Sequence, residues 1–317
     1  MEQDSHLRRD DPNTWTVERY GIADGWLPSM GAPYSDAYSP KLRAAFDQLM
    51  GPDKYEESSL ALGWWVVTFP GFWDERLADY PGHPPEVAWG AAGHWHIDGA
   101  HFQHYINSKE VGLLPIFLFN TIGKHDGGTL LCPGSHRVVA EILHEYNEDD
   151  GYNAYNAYME QDMEPDIDMV EEGEGGGGKN SSGGTTQKRE EGEDDWSEEE
   201  EEEEEGRGRR RGGLTGGEIS AEVLKRCDVA NNAVEVQGSP GDVVLCHPFM
   251  LHARSMNCGS GLDRSVRPMC HPGIALKKAM SIYRGVGEAP KVSPVERVIV
   301  DAVQNFASGR DQGGTEE

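Results

Sequence analysis

The feature that most constrains the fold is a series of short, strand-like segments, each bounded by Gly or Pro and rich in β-branched or aromatic residues. Short strands that follow one another without intervening helices are typical of antiparallel sandwiches and barrels, with helices packed outside. The sequence therefore predicts a mainly β fold with flanking α-helices. The segments are Trp64–Phe69, Leu113–Asn120, Thr129–Cys132, Val234–Gln237 and Val243–Cys246.

Two helices are predicted, one on each side of these strands. Ser39-Pro40 precedes an apolar stripe that ends at Gly51, which gives a cap, a proline in the first turn and a glycine stop. Ser293-Pro294-Val295-Glu296 has the form of a capping box, in which a Ser and a Glu three residues later satisfy each other's backbone N–H groups. Apolar residues at helical spacing follow it as far as Gly309.

The segment 160–218 differs from the rest of the chain in composition. It carries 22 acidic and seven basic residues, so that about half of the formal net charge of −28 lies there. A Gly run, Gly175–Gly178, and an unbroken Glu run, Glu198–Glu205, leave few apolar side chains to bury. Such a segment cannot offset the entropy that it would lose on ordering. We predict a disordered insertion within one domain that spans residues 1–317, because strand-like sequence continues on both sides of it.

The overall charge disfavours binding to nucleic acid or to anionic membranes, since both require a basic surface. No apolar run approaches the roughly 18–20 residues that span a bilayer. The polar start Met1–His6 disfavours a secretory signal. Five widely spaced cysteines without a CxxC pair suit a reducing compartment, and we predict a cytoplasmic location.

A first candidate metal motif lies in Gly93–Gly99. His96 and Asp98 are two residues apart, so on a strand their side chains project to the same face. An imidazole beside a carboxylate gives two ligands of a divalent-metal site, and a second His would complete the facial triad of non-haem iron(II). His94 shares the alternation and competes with His96. A lone HxD is a weak signal, because a His–Asp hydrogen bond within a sheet gives the same pattern.

The candidate third ligands lie in Gly238–His252. A turn at Pro240-Gly241-Asp242 leads into an apolar strand, and a second apolar run ends at His252. Either His247 or His252 could complete the triad.

An arginine that leads into an apolar strand is a candidate anion site. Arg267 precedes Met269 and Cys270. A buried guanidinium requires an anionic partner, and its planar fork matches a carboxylate. A dicarboxylate cosubstrate or an internal Asp or Glu could supply that anion.

Together these segments resemble the phytanoyl-CoA dioxygenase group of iron(II)/2-oxoglutarate oxygenases. That group has an HxD strand, a Gly-rich strand that ends in PGSHR, a GDxxLxHxxxxH segment and an Arg, in this order. The resemblance covers about residues 63–276 without the insertion. The matching segments are His96-Ile97-Asp98, Gly127–Arg137, Gly241–His252 and Arg267.

The resemblance implies a double-stranded β-helix, a jelly-roll barrel with its metal at the open mouth. It implies that His96, Asp98 and His252 hold iron(II), in preference to His94 and His247. It also implies 2-oxoglutarate and O2 as cosubstrates, with ascorbate as a candidate reductant, and hydroxylation of a small organic substrate with release of succinate and CO2.

Within this resemblance Arg267 is assigned to the distal carboxylate of 2-oxoglutarate. The distal His and the Arg are further apart than is usual in the group, so Arg264 is a competitor. Thr129 and Asn120 are candidates for supporting the cosubstrate. The Ser and His of the PGSHR turn are expected to be structural.

Other functional classes fit parts of the same sequence. A barrel that binds no metal, or one that binds zinc and hydrolyses its substrate, could carry the same triad. An interaction protein could use the acidic insertion to recruit a basic protein partner.

Overall fold

The computed structural model describes residues 8, 11–22, 37–61, 65–70, 72, 94–99, 102–147, 213–258, 266–282 and 292–312. These residues form helices and antiparallel strands. The helices are α1 (Pro40–Met50), α2 (Ser135–Asn147), α3 (Gly216–Arg226), α4 (Val229–Asn232) and α5 (Pro294–Gln312), with short 3-10 helices at Pro12–Thr14 and Glu57–Ala61.

The two helices expected from the sequence, α1 and α5, are confirmed. The Ser39 hydroxyl accepts from the Leu42 N–H at the start of α1, and Gly51 ends it with φ of 101°, which favours glycine. At the start of α5 the Ser293 N–H donates to Glu296 at 2.8 Å, and the Glu296 N–H donates back to the Ser293 hydroxyl at 3.3 Å. The helix continues past Gly309 to Gln312.

The carboxylate of Glu296 also ties α5 to the rest of the fold. Glu296 is only 3% exposed. Its carboxylate accepts hydrogen bonds from the Ser281 N–H at 2.8 Å and from Lys54 Nζ at 3.0 and 3.1 Å. Burial would raise the pKa of Glu296, but these donors outweigh it and lower the pKa below the usual carboxyl value.

Helices α2 and α3 were not predicted. Buried Val139, Ile142 and Leu143 give α2 an apolar stripe at helical spacing. Thr215 and Glu218 form a capping box at the start of α3. The predicted end of the insertion at 218 is wrong, because residues 214–218 belong to a strand and to this helix; residues 160–212 lie outside the described residues.

The five strands expected from the sequence are confirmed in position, with bounds shorter by up to two residues at an end. The described strands are β1 (Arg19–Ile22), β2 (Trp65–Thr68), β3 (Gln103–His104), β4 (Leu114–Leu118), β5 (Thr129–Leu131), β6 (Leu214–Thr215), β7 (Val234–Glu235), β8 (Val243–Cys246), β9 (His252–Arg254) and β10 (Arg267–Cys270).

The described strands form three sheets, and every pairing between them is antiparallel, as predicted. A five-stranded sheet has the order β1-β2-β10-β4-β8, a three-stranded sheet has the order β7-β5-β9, and β3 pairs with β6. The architecture of the described residues is therefore mixed α/β, with more helix than the mainly β expectation allowed.

The largest core cluster joins the helices to the strands. It contains Phe46 of α1, Ile142 of α2, Ile219 of α3 and Ile299 of α5 together with Leu130 of β5. Helix α2 contacts both α3 and α5. Within the described part of the chain, no helix is both long and apolar enough to cross a membrane.

Candidate metal centre

The backbone brings His96 and His252 directly opposite each other. The His96 N–H donates to the His252 carbonyl at 2.9 Å, and the His252 N–H donates to the His96 carbonyl at the same distance. In such an antiparallel pair the two side chains project from the same face of the ladder. The segments 94–98 and 252–254 are far apart in sequence, so this bridge is what assembles the candidate site.

Two structural elements hold these segments in place. The Ile97 N–H, between the two residues of the HxD motif, donates to the Ser220 hydroxyl of α3 at 3.2 Å. On the other side, the Leu251 N–H donates to the Ser135 hydroxyl at 2.9 Å, and its carbonyl accepts from the Cys132 N–H at 3.0 Å. The PGSHR turn therefore supports the His252 segment.

Asp98 completes a cluster with the two histidines. His96 Nε2 lies 3.6 Å from Asp98 Oδ1, and His252 Nε2 lies 3.5 Å from the same oxygen. The candidate ligand atoms of the three residues lie within 4.8 Å of one another. Two atoms that each lie about 2.1 Å from one metal ion are about 3.0–3.4 Å apart, so a small inward movement would allow a shared ion.

The other ring nitrogen of each histidine faces a backbone carbonyl two residues earlier. His96 Nδ1 lies 2.7 Å from the His94 carbonyl, and His252 Nδ1 lies 2.9 Å from the Met250 carbonyl. A protonated Nδ1 would satisfy each contact and leave Nε2 with a free lone pair. Metal-binding histidines are held in this way, since the outer hydrogen bond sets both tautomer and orientation.

Burial and charge at the cluster also fit a cation. The His252 side chain is 2% exposed, and its buried Nε2 atom has no hydrogen-bond partner among the residues that the structure describes, a situation that normally costs about 1–3 kcal/mol. Burial would raise the pKa of Asp98, but His252, His271 and His96 outweigh it, so its pKa lies well below the usual carboxyl range. The cluster therefore combines two imidazoles with one negative charge, a donor set that could hold a divalent metal.

The competing histidines have other roles. His94 is an exposed residue with φ of 67°, and it contributes its carbonyl to His96. His247 is outside the cluster: its Nδ1 accepts from the Phe249 N–H at 3.1 Å, and its Nε2 lies 3.3 Å from the Val295 carbonyl. Both ring nitrogens of His247 thus have partners within the protein.

Arg267 lies at the start of β10 and is 1% exposed. Its Nη2 donates to the Thr129 hydroxyl at 3.1 Å and contacts Met269 Sδ at 3.2 Å, whereas Nε and Nη1 are buried without a hydrogen-bond partner in the described part of the chain. Burial lowers the pKa of Arg267 to about 10, with an opposing effect from Glu235, so it stays charged at neutral pH. Glu235 directs its carboxylate to the backbone N–H groups of His125 and Gly128 instead.

The candidate supporting residues lie near Arg267 in different ways. Thr129 contacts its guanidinium directly. Asn120 Nδ2 lies 3.4 Å from the carbonyl of Val266, the residue before Arg267. The competitor Arg264 lies outside the described residues.

Two residues in contact with these candidates were not predicted from the sequence. Thr68 of β2 is paired directly with Arg267, and its buried hydroxyl has no partner among the described residues. His271 is 7% exposed, and its Nδ1 lies 3.6 Å from Asp98 Oδ2. Alternation along the strand that contains Arg267 is the signal that could have pointed to His271, since residues 267, 269 and 271 share a face.

The sequence matches no protein-family model, and a search of curated proteins found no match. The function is therefore inferred from the residues of this chain.

Proposed function

We propose that this protein is an iron(II)- and 2-oxoglutarate-dependent dioxygenase that hydroxylates a small organic substrate with release of succinate and CO2. His96, Asp98 and His252 would hold the metal, and Arg267 would hold the distal carboxylate of 2-oxoglutarate. The observation that carries this proposal is the buried Arg267 guanidinium, whose Nε and Nη1 nitrogens have no hydrogen-bond partner among the described residues, in the same molecule as the His–Asp–His cluster.

The donor set of the cluster favours iron(II) chemistry. Two imidazoles and one carboxylate form the 2-His-1-carboxylate set that non-haem iron(II) oxygenases use. When bound, iron(II) would coordinate the 2-oxo acid group and supply the oxygen chemistry of the reaction. Asp98 provides the carboxylate ligand, and the Nδ1 contacts of both histidines keep their Nε2 atoms directed at the same place.

Arg267 separates this proposal from a zinc hydrolase. A hydrolytic site needs an open metal position for water but no second buried cation. A buried guanidinium without an internal carboxylate requires an anion from outside, and a planar fork binds a carboxylate through two N–H groups. The Thr68 hydroxyl lies directly opposite Arg267 on the neighbouring strand and has no partner among the described residues, so it offers a further donor to the same anion.

The fold arrangement supports the same proposal. We place the five-stranded and the three-stranded sheets on the two faces of a double-stranded β-helix. The contact between Arg267 of β10 and Thr129 of β5 connects these sheets. Arg267 and His252 are both buried, which would limit the access of water to the proposed metal and cosubstrate sites.

Several expectations remain predictions. They are the use of ascorbate as reductant, the cytoplasmic location, the absence of nucleic-acid and membrane binding, the single domain, and the recruitment of a basic protein by the acidic segment.

The first test measures 2-oxoglutarate binding to the iron(II)-loaded protein without oxygen. Removal of one partner of a buried charge pair costs roughly 2–5 kcal/mol, so we expect Arg267→Leu to raise the Kd by about thirtyfold or more, at about 1.4 kcal/mol per tenfold. Iron binding should be retained, because Arg267 does not belong to the metal cluster.

The matched control is Arg43→Leu. Arg43 of α1 forms a partly exposed ion pair with Glu57 of the 3-10 helix Glu57–Ala61, and a pair of this kind contributes little to stability. Its Kd for 2-oxoglutarate should equal that of the wild type. Succinate production over a panel of small substrates then tests turnover. Zinc retention without 2-oxoglutarate binding or oxygen uptake would contradict the proposal in favour of a hydrolase or a non-catalytic barrel.

A further inference from the structure

The carboxylate of Asp98 has three imidazole neighbours, and they are divided between its two oxygens. His96 Nε2 and His252 Nε2 face Oδ1 at 3.6 and 3.5 Å. His271 Nδ1 faces Oδ2 at 3.6 Å. The two histidines of the candidate metal site therefore share one oxygen, and the third histidine faces the other.

His271 is outside the metal cluster itself. The ligand atoms that lie within 4.8 Å of one another come from His96, Asp98 and His252. The His271 ring lies with its centroid 5.7 Å from that of His252, and the two ring planes are 81° apart. This edge-on arrangement places His271 beside the cluster, next to the carboxylate.

We infer that His271 is a positioning residue that holds Oδ2 of Asp98, so that the carboxylate binds the metal through Oδ1 alone. This inference rests on the proposed metal site. A carboxylate oxygen in a largely buried site requires a donor, and the N–H of a neutral or charged imidazole can supply one. Ligating carboxylates in metal sites are commonly held by such outer hydrogen bonds.

The consequence concerns the number of open metal positions. A facial set of three ligands leaves three positions free, which the 2-oxo acid group and O2 require. A carboxylate that turned to bind through both oxygens would occupy one of them. By engaging Oδ2, His271 keeps that position available for the cosubstrate.

One strand links this role to the anion site. Arg267, Met269 and His271 alternate along β10 and the residue after it, so their side chains project from one face. Met269 Sδ contacts Arg267, and His271 contacts Asp98. The same strand thus reaches the proposed carboxylate-binding end with one residue and the metal end with another.

The test compares three substitutions at residue 271. His271→Leu removes the donor, His271→Asn places an N–H near the former Nδ1 position, and His271→Gln places one near the former Nε2 position. Each variant is titrated with Co(II), and the visible absorption of the bound cobalt gives the metal affinity. The metal-saturated, oxygen-free iron form is then titrated with 2-oxoglutarate, followed by its charge-transfer band.

We expect His271→Leu and His271→Gln to lose about tenfold or more in metal affinity, the range found for outer-sphere partners, and to bind 2-oxoglutarate more weakly once saturated with metal. His271→Asn should stay near the wild type in both titrations. The shape of the Co(II) spectrum should change in the Leu and Gln variants, because the coordination number changes. If the Leu variant does not fold, the comparison of Asn with Gln decides.

Two results would overturn this inference and leave the proposed metal site intact. The first is a His271→Leu variant (or, where that variant does not fold, a His271→Gln variant) whose titrations and spectrum equal those of the wild type. The second is a His271→Asn variant that is as defective as the Leu or Gln variant. The latter would make His271 a metal ligand or a packing residue. Failure of the wild-type protein to bind any divalent ion would overturn the proposed metal site and this inference with it.

Discussion

Two histidines in one short segment, His247 and His252, have opposite relations to their surroundings. Both lie in the segment that the sequence marked for the third ligand; His247 is partly buried and His252 is 2% exposed. His247 has a partner at each ring nitrogen, the Phe249 N–H and the Val295 carbonyl. His252 has a backbone partner at Nδ1, whereas its buried Nε2 faces Asp98 and has no hydrogen-bond partner within the described ranges. A free, directed nitrogen atom is thus the property that separates a candidate ligand from a packing residue.

The same contrast distinguishes two arginines. Arg226 of α3 contacts the carboxylates of Glu145 and Glu222 at 2.9–3.1 Å. Arg267 is more deeply buried and has no carboxylate partner among the described residues. Groups whose bonding is complete within the chain stabilise the fold, and groups whose bonding is incomplete are available to a ligand.

The largest effect is expected when each of the two histidines is substituted separately and metal binding is compared. We expect His252→Ala to weaken iron(II) binding by more than about a hundredfold, beyond the 10–100-fold range for outer-sphere residues, because it removes one of three ligands. His247→Gln should leave binding within about threefold. Anaerobic titration with iron(II) or Co(II) measures both.

A matched pair at the other segment extends this test. His96→Ala should behave like His252→Ala, and His94→Ala should retain most of the metal, because His94 contributes its backbone carbonyl. Loss of metal in His247→Gln with retention in His252→Ala would reverse the assignment.

The second test uses the stability of the protein as a function of pH. Burial, with a smaller effect from His136, lowers the pKa of His247 to about 3, whereas the unfolded chain protonates near 6.5. The unfolded state therefore binds an extra proton between these values, and stability is lost as the pH falls from about 6.5 towards 3.

Between pH 7 and pH 5 this histidine should account for about 2 kcal/mol of the loss. Urea unfolding at both pH values measures it, and His247→Gln should show a correspondingly smaller loss than the wild type. Equal losses in the two proteins would mean that His247 is not held neutral in the folded state.

The smallest effect is expected outside both histidine environments. Replacement of residues 160–212 by a short flexible linker should leave the melting temperature, metal affinity and uncoupled 2-oxoglutarate turnover nearly unchanged. The junction is placed before Gly213, because residues 214–218 belong to β6 and α3. Loss of cooperative melting would show that the acidic segment contributes to the core.

Local patterns in the sequence predicted the local features of the fold. The caps at Ser39 and Ser293 determine where helices begin, and the Gly- and Pro-bounded apolar runs mark strands, because these signals act over a few residues. Helices α2 and α3 carried signals of the same kind, but the acidic composition before Gly213 hid the Thr215–Glu218 capping box. Composition describes a long segment as a whole, whereas a capping box acts on the first turn of one helix.

The candidate site was predictable only in part. Strand alternation predicted that His96 and Asp98 lie close together, and they do, although His96 forms only an isolated bridge and Asp98 lies in a bend. The order of motifs favoured His252. The bridge between His96 and His252, the pairing of Thr68 with Arg267 and the approach of His271 to Asp98 all depend on strand register between distant segments. No local pattern specifies that register, so these contacts required the structure.

The reciprocal backbone bonds between His96 and His252 provide an isotopic reporter of the assembled site. An amide hydrogen held in such a bond exchanges with solvent deuterium only when the local structure opens. Slow exchange at both amides would show that the two segments are joined, and it requires no bound ion. NMR, or mass spectrometry of the peptides that contain the two residues, measures this exchange. A histidine variant that loses only a metal ligand would keep slow exchange at these amides. A variant in which the two segments come apart would show fast exchange.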